Sequence, residues 1–146
     1  MATETYPMPM FATLSARDAE ASKRWYEALG FDHVFTMPDA AGRPLLVHLR
    51  WTKYADVLLR QGSGPVVDGR DRGVALTFAL PSDQVAAIAE RARSLGSTIL
   101  AEPTLQPWNA RDVSIADPDG HQLVFTFGPV DAAMTFDEVT ERARRA

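Results

Sequence analysis

The residues able to do chemistry are few and scattered. Three histidines, His33, His48 and His121, lie far apart in the chain, and there is no cysteine. A divalent ion needs several imidazoles and carboxylates converging on one point. Isolated histidines of this kind read as hydrogen-bonding residues of a surface or pocket. Without cysteine there is no disulfide frame, no zinc–thiolate site and no thiol nucleophile. No Ser–His–Asp arrangement, no GxxxxGK[ST] phosphate loop and no HExxH pair occurs. His48 differs from the other two in its setting. The alternation Leu46, His48, Arg50 either turns it toward a concave inner side or leaves it an exposed strand residue.

A second group gathers near the end of the chain. Trp108-Asn109 and Arg111 precede Asp117-Pro118-Asp119-Gly120. An exposed indole offers stacking for a flat or cationic molecule, and Arg111 offers a partner for a carboxylate, of a ligand or of a nearby Asp. The four-residue run is a turn: Pro118 presets φ, Asp119 can bond its own backbone, and Gly120 accepts positive φ. Val113 and Ile115 before it, and Leu123, Phe125 and Phe127 after it, alternate as in half-buried strands. The stretch 106–127 is therefore a hairpin, and the remaining chain has to position it.

Composition narrows the class. The 146 residues, 46% hydrophobic and with three Trp, suffice for one domain or two small modules sharing a core. A net charge of −4 argues against a nucleic-acid surface and weakly favours cationic small molecules. No apolar run approaches the roughly 20 residues of a spanning helix, and the N-terminus lacks the pattern of a signal peptide. A cytoplasmic protein, acting on neither membrane nor nucleic acid, is the default expectation.

In chain order, a strand is expected over 7–14, then a helix capped by Asp18 and stopped by Gly30. Ala21, Trp25, Ala28 and Leu29 should face a core. Strands follow over 31–35, 44–51 and 57–61, with turns at 39–42 and 52–56. Residues 62–73, GSGPVVDGRDRG, read as a solvated linker between a module 7–61 and a module 74–127. The order then repeats: strand 74–80, a helix capped by Ser82 or Asp83 and stopped by Gly96, strand 97–101, a loop over 102–109 and the hairpin. In the second helix Val85, Ile88, Ala89, Ala92 and Leu95 should point inward. This is an internal duplication. The tail 128–146 adds a helix, with Thr135 and Glu138 spaced as a capping box and a thin apolar face of Phe136 and Val139. It should pack on the sheet or on a partner subunit.

These residues resemble the vicinal-oxygen-chelate superfamily of glyoxalases, extradiol dioxygenases and bleomycin-resistance proteins. The doubled strand–helix–strand–strand–strand unit carries the resemblance, as do Asp18 with Trp25-Tyr26-Glu27-Ala28-Leu29-Gly30-Phe31 and PWNARDVSIADPDGHQLVFTF, the latter similar to the ending of bleomycin-resistance-type members. The resemblance covers about residues 8 to 127. It implies an α+β fold of two βαβββ modules, each a curved half-barrel sheet, around a concave pocket, and it implies homodimers.

Metal-dependent members of that superfamily hold one ion by four His or Glu side chains on the first and last strands of each module. The resemblance puts Phe11, Leu59, one of Ala75, Leu76 or Thr77, and Val124 at those places, and none binds a divalent ion well. No metal and no cofactor is therefore expected. The resemblance also places Trp108 in the loop rimming the groove of drug-binding members, although a core or dimer-interface anchor is the competing reading. Phe11, Phe35, His48, Trp51, Leu59, Trp108, Asn109, Arg111 and Val124 form the expected ligand-binding set, with no catalytic residue assigned. The expected function is a non-catalytic protein of bleomycin-resistance type, sequestering a planar or cationic compound such as an antibiotic in a groove of a homodimer. The alternatives are a metal-dependent glyoxalase- or dioxygenase-like lyase, isomerase or oxidoreductase of the same fold, and an accessory domain binding a biosynthetic intermediate or another protein.

Overall fold

A computed structural model describes residues 4–62 and 73–146. Most of the expected linker 62–73 lies outside the described residues. Among the described residues, two four-stranded sheets and three helices give an α+β architecture, and the doubled βαβββ unit is present. The chain divides into two compact units, each described on its own terms.

The first unit contains β1 (Ala12–Ala16), α1 (Ala19–Leu29), β2 (Asp32–Pro38), β3 (Pro44–Thr52) and β4 (Ala55–Gln61), in sheet order β1-β4-β3-β2. β1 and β4 run parallel and the other pairs antiparallel. The expected strand 7–14 starts only at Ala12. Pro7 and Pro9 lack the N–H that a ladder needs. β2 runs on to Pro38, and the turn expected over 52–56 shrinks to a tight reversal with Tyr54 at φ 66°.

α1 starts where its cap chemistry predicts, with the Asp18 carboxylate accepting from Ala21 N at 3.0 Å. It stops at Gly30, φ 133°, where Phe31 N donates to Tyr26 O at 2.9 Å. Its buried stripe is Ala19, Ser22, Tyr26 and Leu29. Ala28, expected inward, is exposed, and Ala21 and Trp25 are half-buried. Under this stripe lie Val47, Leu49, Val57 and Leu59, all fully buried. Trp25, Tyr26, Phe31 and Trp51 continue the core as successive edge and tilted ring contacts near 5 Å.

The helix is rotated toward a partner remote in sequence. The turn Asp117–His121 belongs to this first unit. Tyr26 Oη donates to Asp117 Oδ2 at 2.7 Å and Ser22 Oγ to Asp119 Oδ2 at 3.2 Å. Arg17 N donates to Asp119 Oδ1 at 3.0 Å. Asp117 Oδ1 accepts from the backbone N–H of Asp119 and of His121. The two motifs that carry the family resemblance thus meet in one hydrogen-bonded joint.

The second unit contains β5 (Leu76–Ala79), α2 (Val85–Ser94), β6 (Ile99–Gln106), β7 (Ala110–Ala116), β8 (Gln122–Phe127) and α3 (Phe136–Arg145). Its sheet order, β5-β8-β7-β6, repeats that of the first, with β5 parallel to β8. α2 buries Val85, Ile88, Ala89 and Ala92 against this sheet, while Leu95 sits at the rim, 36% exposed. Neither Ser82 nor Asp83 occupies the cap position of α2. Gln84 does, without a side-chain cap bond. Gly96, φ 72°, ends α2 as expected, with Ser97 N donating to Ala92 O. β6 absorbs most of the expected loop 102–109 and breaks register between Ile99 and Ala101 and again between Ala101 and Thr104, the stretch that holds Pro103. α3 opens on the full Thr135–Glu138 capping box and has no buried residue.

Burial, and then the negative charges of Asp117 and Asp119, push the Tyr26 hydroxyl well above its usual pKa. Replacing Tyr26 by Phe should cost about 1–3 kcal/mol, since buried Asp117 loses a donor. Chemical denaturation at neutral pH measures this. Folded Tyr26 binds its proton more tightly than the unfolded chain does, so its contribution is full below the unfolded value of about 10 and is lost as pH rises beyond it. Tyr26→Phe should flatten that alkaline loss, and an unchanged alkaline limb would contradict the joint.

Candidate functional site

Strand pairing sorts the first sheet into two faces. Val47, Leu49, Val57 and Leu59 lie beneath α1. On the opposite, open face His48 pairs across with Phe35 on β2 and Leu58 on β4, and Arg50 pairs with Asp56. Arg50 grips Asp56 with two parallel bonds, Nε to Oδ1 at 2.7 Å and Nη2 to Oδ2 at 2.8 Å. His48 Nε2 meets Asp56 Oδ2 at 2.6 Å. Arg50 Nη1 donates to Glu4 O at 2.6 Å, and the guanidinium lies 4.3 Å from the centre of the Tyr6 ring. The Phe35 ring stands edge-on to the imidazole, 5.1 Å between centres. Burial alone would raise the Asp56 carboxyl, but hydrogen bonds from Arg50 and His48 outweigh it and hold its pKa below the ordinary value.

The second unit carries an apolar groove of about 550 Å³. Leu80, Trp108, Pro129, Met134, Phe136 and Val139 supply its walls, and none of its described lining residues is charged. Trp108 is 56% exposed and Phe136 83% exposed. Asn109 is one of the groove's lining residues and also holds it together. It is buried at φ 70°, its Nδ2 donates to Asp131 O at 2.8 Å, and its Oδ1 accepts from Asp131 N at 2.9 Å. Val130 N donates to Asn109 O, which ties the segment leading to α3 onto the β6–β7 turn.

The residues expected to bind ligand are thus dispersed. Phe35 and His48 share the open face of the first sheet, and Phe11 is exposed just ahead of β1. Trp51 turns to Phe31 and joins the core. Leu59 is 0% exposed beneath α1, so the open-face residue beside it is Leu58. Trp108 lines the groove of the second unit. Arg111 pairs with Asp83, the structural alternative foreseen for it. Val124 lies on the open face of the second sheet, paired across with Thr77 and Ser114.

The other two histidines are hydrogen-bonders, His33 to Thr36 and His121 to Ser15 O. Among the described residues, no three His, Cys, Asp or Glu come together as a metal site. Phe11, Leu59, Thr77 and Val124 supply no carboxylate or imidazole, so this donor set does not fit a divalent ion. Asp56 was missed as a partner of His48, because the signal is a strand register and not a motif.

Arg50→Met should leave Asp56 buried and uncompensated, and cost about 3 kcal/mol or more in urea denaturation at pH 7. Arg60→Met, at an exposed position on the neighbouring strand, should cost about 0.5 kcal/mol or less. The folded Asp56 pKa is depressed, so its contribution is full above the unfolded carboxylate value and is lost as pH falls through the folded one. A denaturation series from pH 6 downward should show this acid loss in the native protein and a smaller one in Asp56→Asn.

A family model, the Glyoxalase/Bleomycin resistance protein/Dioxygenase superfamily, matches residues 10–125. No curated protein matches. Several solved structures share the fold. TioX from Micromonospora sp. ML1 is 23% identical, with a TM-score of 0.63 over 86% of this chain and 98% of that one. A bleomycin-binding protein in complex with bleomycin is 24% identical, with a TM-score of 0.60 over 84% and 99%. The fosfomycin resistance protein FosX from Listeria monocytogenes, complexed with Mn(II) and sulfate, is 15% identical, with a TM-score of 0.62 over 94% and 98%. At these identities the likeness is one of fold. With most of its length matched by the family model and its sheets in the doubled βαβββ order, the chain belongs to the glyoxalase/bleomycin resistance protein/dioxygenase superfamily.

Proposed function

We propose that this protein is a non-catalytic binder that sequesters a planar or cationic compound, such as an antibiotic, and works as a homodimer. The observation that carries the reading is the groove rimmed by Trp108. It is apolar, open, without a charged lining residue, and it presents a large exposed indole. Such a surface holds a flat ring by stacking and a cation by its quadrupole. Phe136 adds a second exposed ring from α3. The bleomycin-binding protein among the solved structures is a relative of the same fold seen with its drug. The positions at which the resemblance puts metal ligands carry Phe11, Leu59, one of Ala75, Leu76 or Thr77, and Val124, and none of these side chains binds a divalent ion well.

Titration of the purified protein with a panel of planar and cationic antibiotics, read by tryptophan fluorescence, should give a saturable change for at least one compound. Trp108→Ala should weaken that compound about fivefold or more, the loss of one stacking contact. No saturable response across a broad panel would overturn the reading. Elemental analysis separates the enzyme alternative: near-stoichiometric Fe²⁺, Mn²⁺ or Zn²⁺, lost together with an activity on chelation, would favour it. Light scattering during chromatography should report a dimer.

A further inference from the structure

The sequence contains two Asp–Gly pairs, Asp68-Gly69 and Asp119-Gly120. In such a pair the chain readily attacks itself, because glycine carries no side chain to crowd its amide nitrogen. The nitrogen bonds to the aspartate Cγ, the carboxyl O–H and the amide hydrogen leave as water, and a five-membered succinimide forms. Water then opens the ring. Cleavage of the Cγ–N bond restores aspartate, and cleavage at the main-chain carbonyl leaves isoaspartate, with the backbone running through Cβ and Cγ. No reactant other than water is needed.

Asp68-Gly69 lies outside the described residues, whereas Asp119-Gly120 sits in the joint with α1. Both reacting groups of the second pair are engaged elsewhere. Asp119 Oδ1 accepts from Arg17 N at 3.0 Å and Arg17 Nε at 3.4 Å, and Oδ2 accepts from Ser22 Oγ at 3.2 Å. The Gly120 N–H donates to Asp117 O at 2.9 Å. Asp119 is 6% exposed. Ring closure has to release every one of these bonds, swing Cγ away from α1 and draw the glycine nitrogen off Asp117 O. The pair is nevertheless hard to replace. Gly120 stands at φ 86°, where a side chain would be strained, and α1 needs the Asp119 carboxylate.

We propose that Asp119-Gly120 is a modification site exposed by opening of the Tyr26–Asp117 joint: isoaspartate forms there in the opened chain and is suppressed in the closed one. For the fold the change runs one way. Isoaspartate adds a methylene to the main chain within a tight turn and moves the carboxylate onto Cα. Arg17 and Ser22 then lose their acceptor, and the Gly120–Asp117 bond loses its spacing. The site is independent of the Trp108 groove.

The test keeps the full chain at neutral pH for several weeks, half in buffer and half unfolded in guanidinium chloride. Peptide mapping with electron-transfer fragmentation, which distinguishes isoaspartate from aspartate, reads both pairs in each sample. In the unfolded sample the two pairs should isomerise at similar rates. In buffer Asp119 should isomerise at least about tenfold more slowly than in denaturant, because only the transiently opened fraction reacts. Ser22→Ala removes one bond to the carboxylate and should raise the rate at Asp119 in buffer about threefold or more. Ile88→Val, a core truncation on α2, should raise it less when the two variants are compared at equal global stability. After the denaturant is removed, chains with isoaspartate at 119 should be depleted from the folded fraction.

Equal rates at Asp119 in buffer and denaturant, or no isomerisation there in the unfolded chain, would overturn the proposal. So would equal acceleration by the two variants, or isoaspartate at 119 shared evenly between folded and unfolded fractions. The comparison of buffer with denaturant needs no variant, so it decides the matter even if Ser22→Ala fails to fold.

Discussion

One buried hydroxyl–carboxylate bond, Tyr26 to Asp117, constrains much of what surrounds it. Both partners are sealed from water, and a sealed carboxylate without donors would be costly. The turn satisfies itself through two backbone N–H groups and takes the third donor from α1. Ser22 and Arg17 do the same for Asp119. This demand sets the rotation of α1, and with it the inward stripe Ala19, Ser22, Tyr26, Leu29 and the outward placement of Ala28. The stripe in turn selects which strand residues lie under the helix and which are left on the open face.

That sorting of faces separates core from chemistry. A strand shows one side chain in two to each face, so the residues kept from α1 are fixed once the buried ones are. In β3 the buried Val47 and Leu49 leave His48 and Arg50 on the other side. Arg50 then meets Asp56 directly across the ladder, and the imidazole reaches the same carboxylate diagonally. In the second unit a different device operates. Asn109, in a left-handed conformation that Asn tolerates better than most residues, fastens the chain leading to α3 and so brings Met134, Phe136 and Val139 opposite Trp108.

Local signals were legible in the chain and remote ones were not. Asp18, Gly30, Gly96 and the Thr135–Glu138 box each act within a few residues, and each marks its helix end where the sequence places it. The doubled order of elements was equally readable from periodicity. The pairing of Ser22 with Asp119 spans 97 residues, and nothing nearby in sequence announces it. Leu59 shows how narrow the margin is: a shift of one residue exchanges faces, so the expected pocket residue is core and Leu58 faces out. Residue type alone marks Asn109 and Trp51 as ligand candidates, yet their places are decided by a positive φ and by the register shift between Arg50 and Thr52.

The strands at one border of each sheet, β2 and β6, bear on how the chain meets its neighbours. β2 ends its sheet with two register breaks and Pro38, and β6 ends the other with one break between Ile99 and Ala101 and a second between Ala101 and Thr104, where Pro103 lies. A long, flat, regular border would offer an uninterrupted row of amide and carbonyl groups to any neighbouring molecule. Kinks and a missing N–H interrupt that row at intervals of a few residues. A neighbouring molecule therefore meets no unbroken ladder along β2 or β6 to extend.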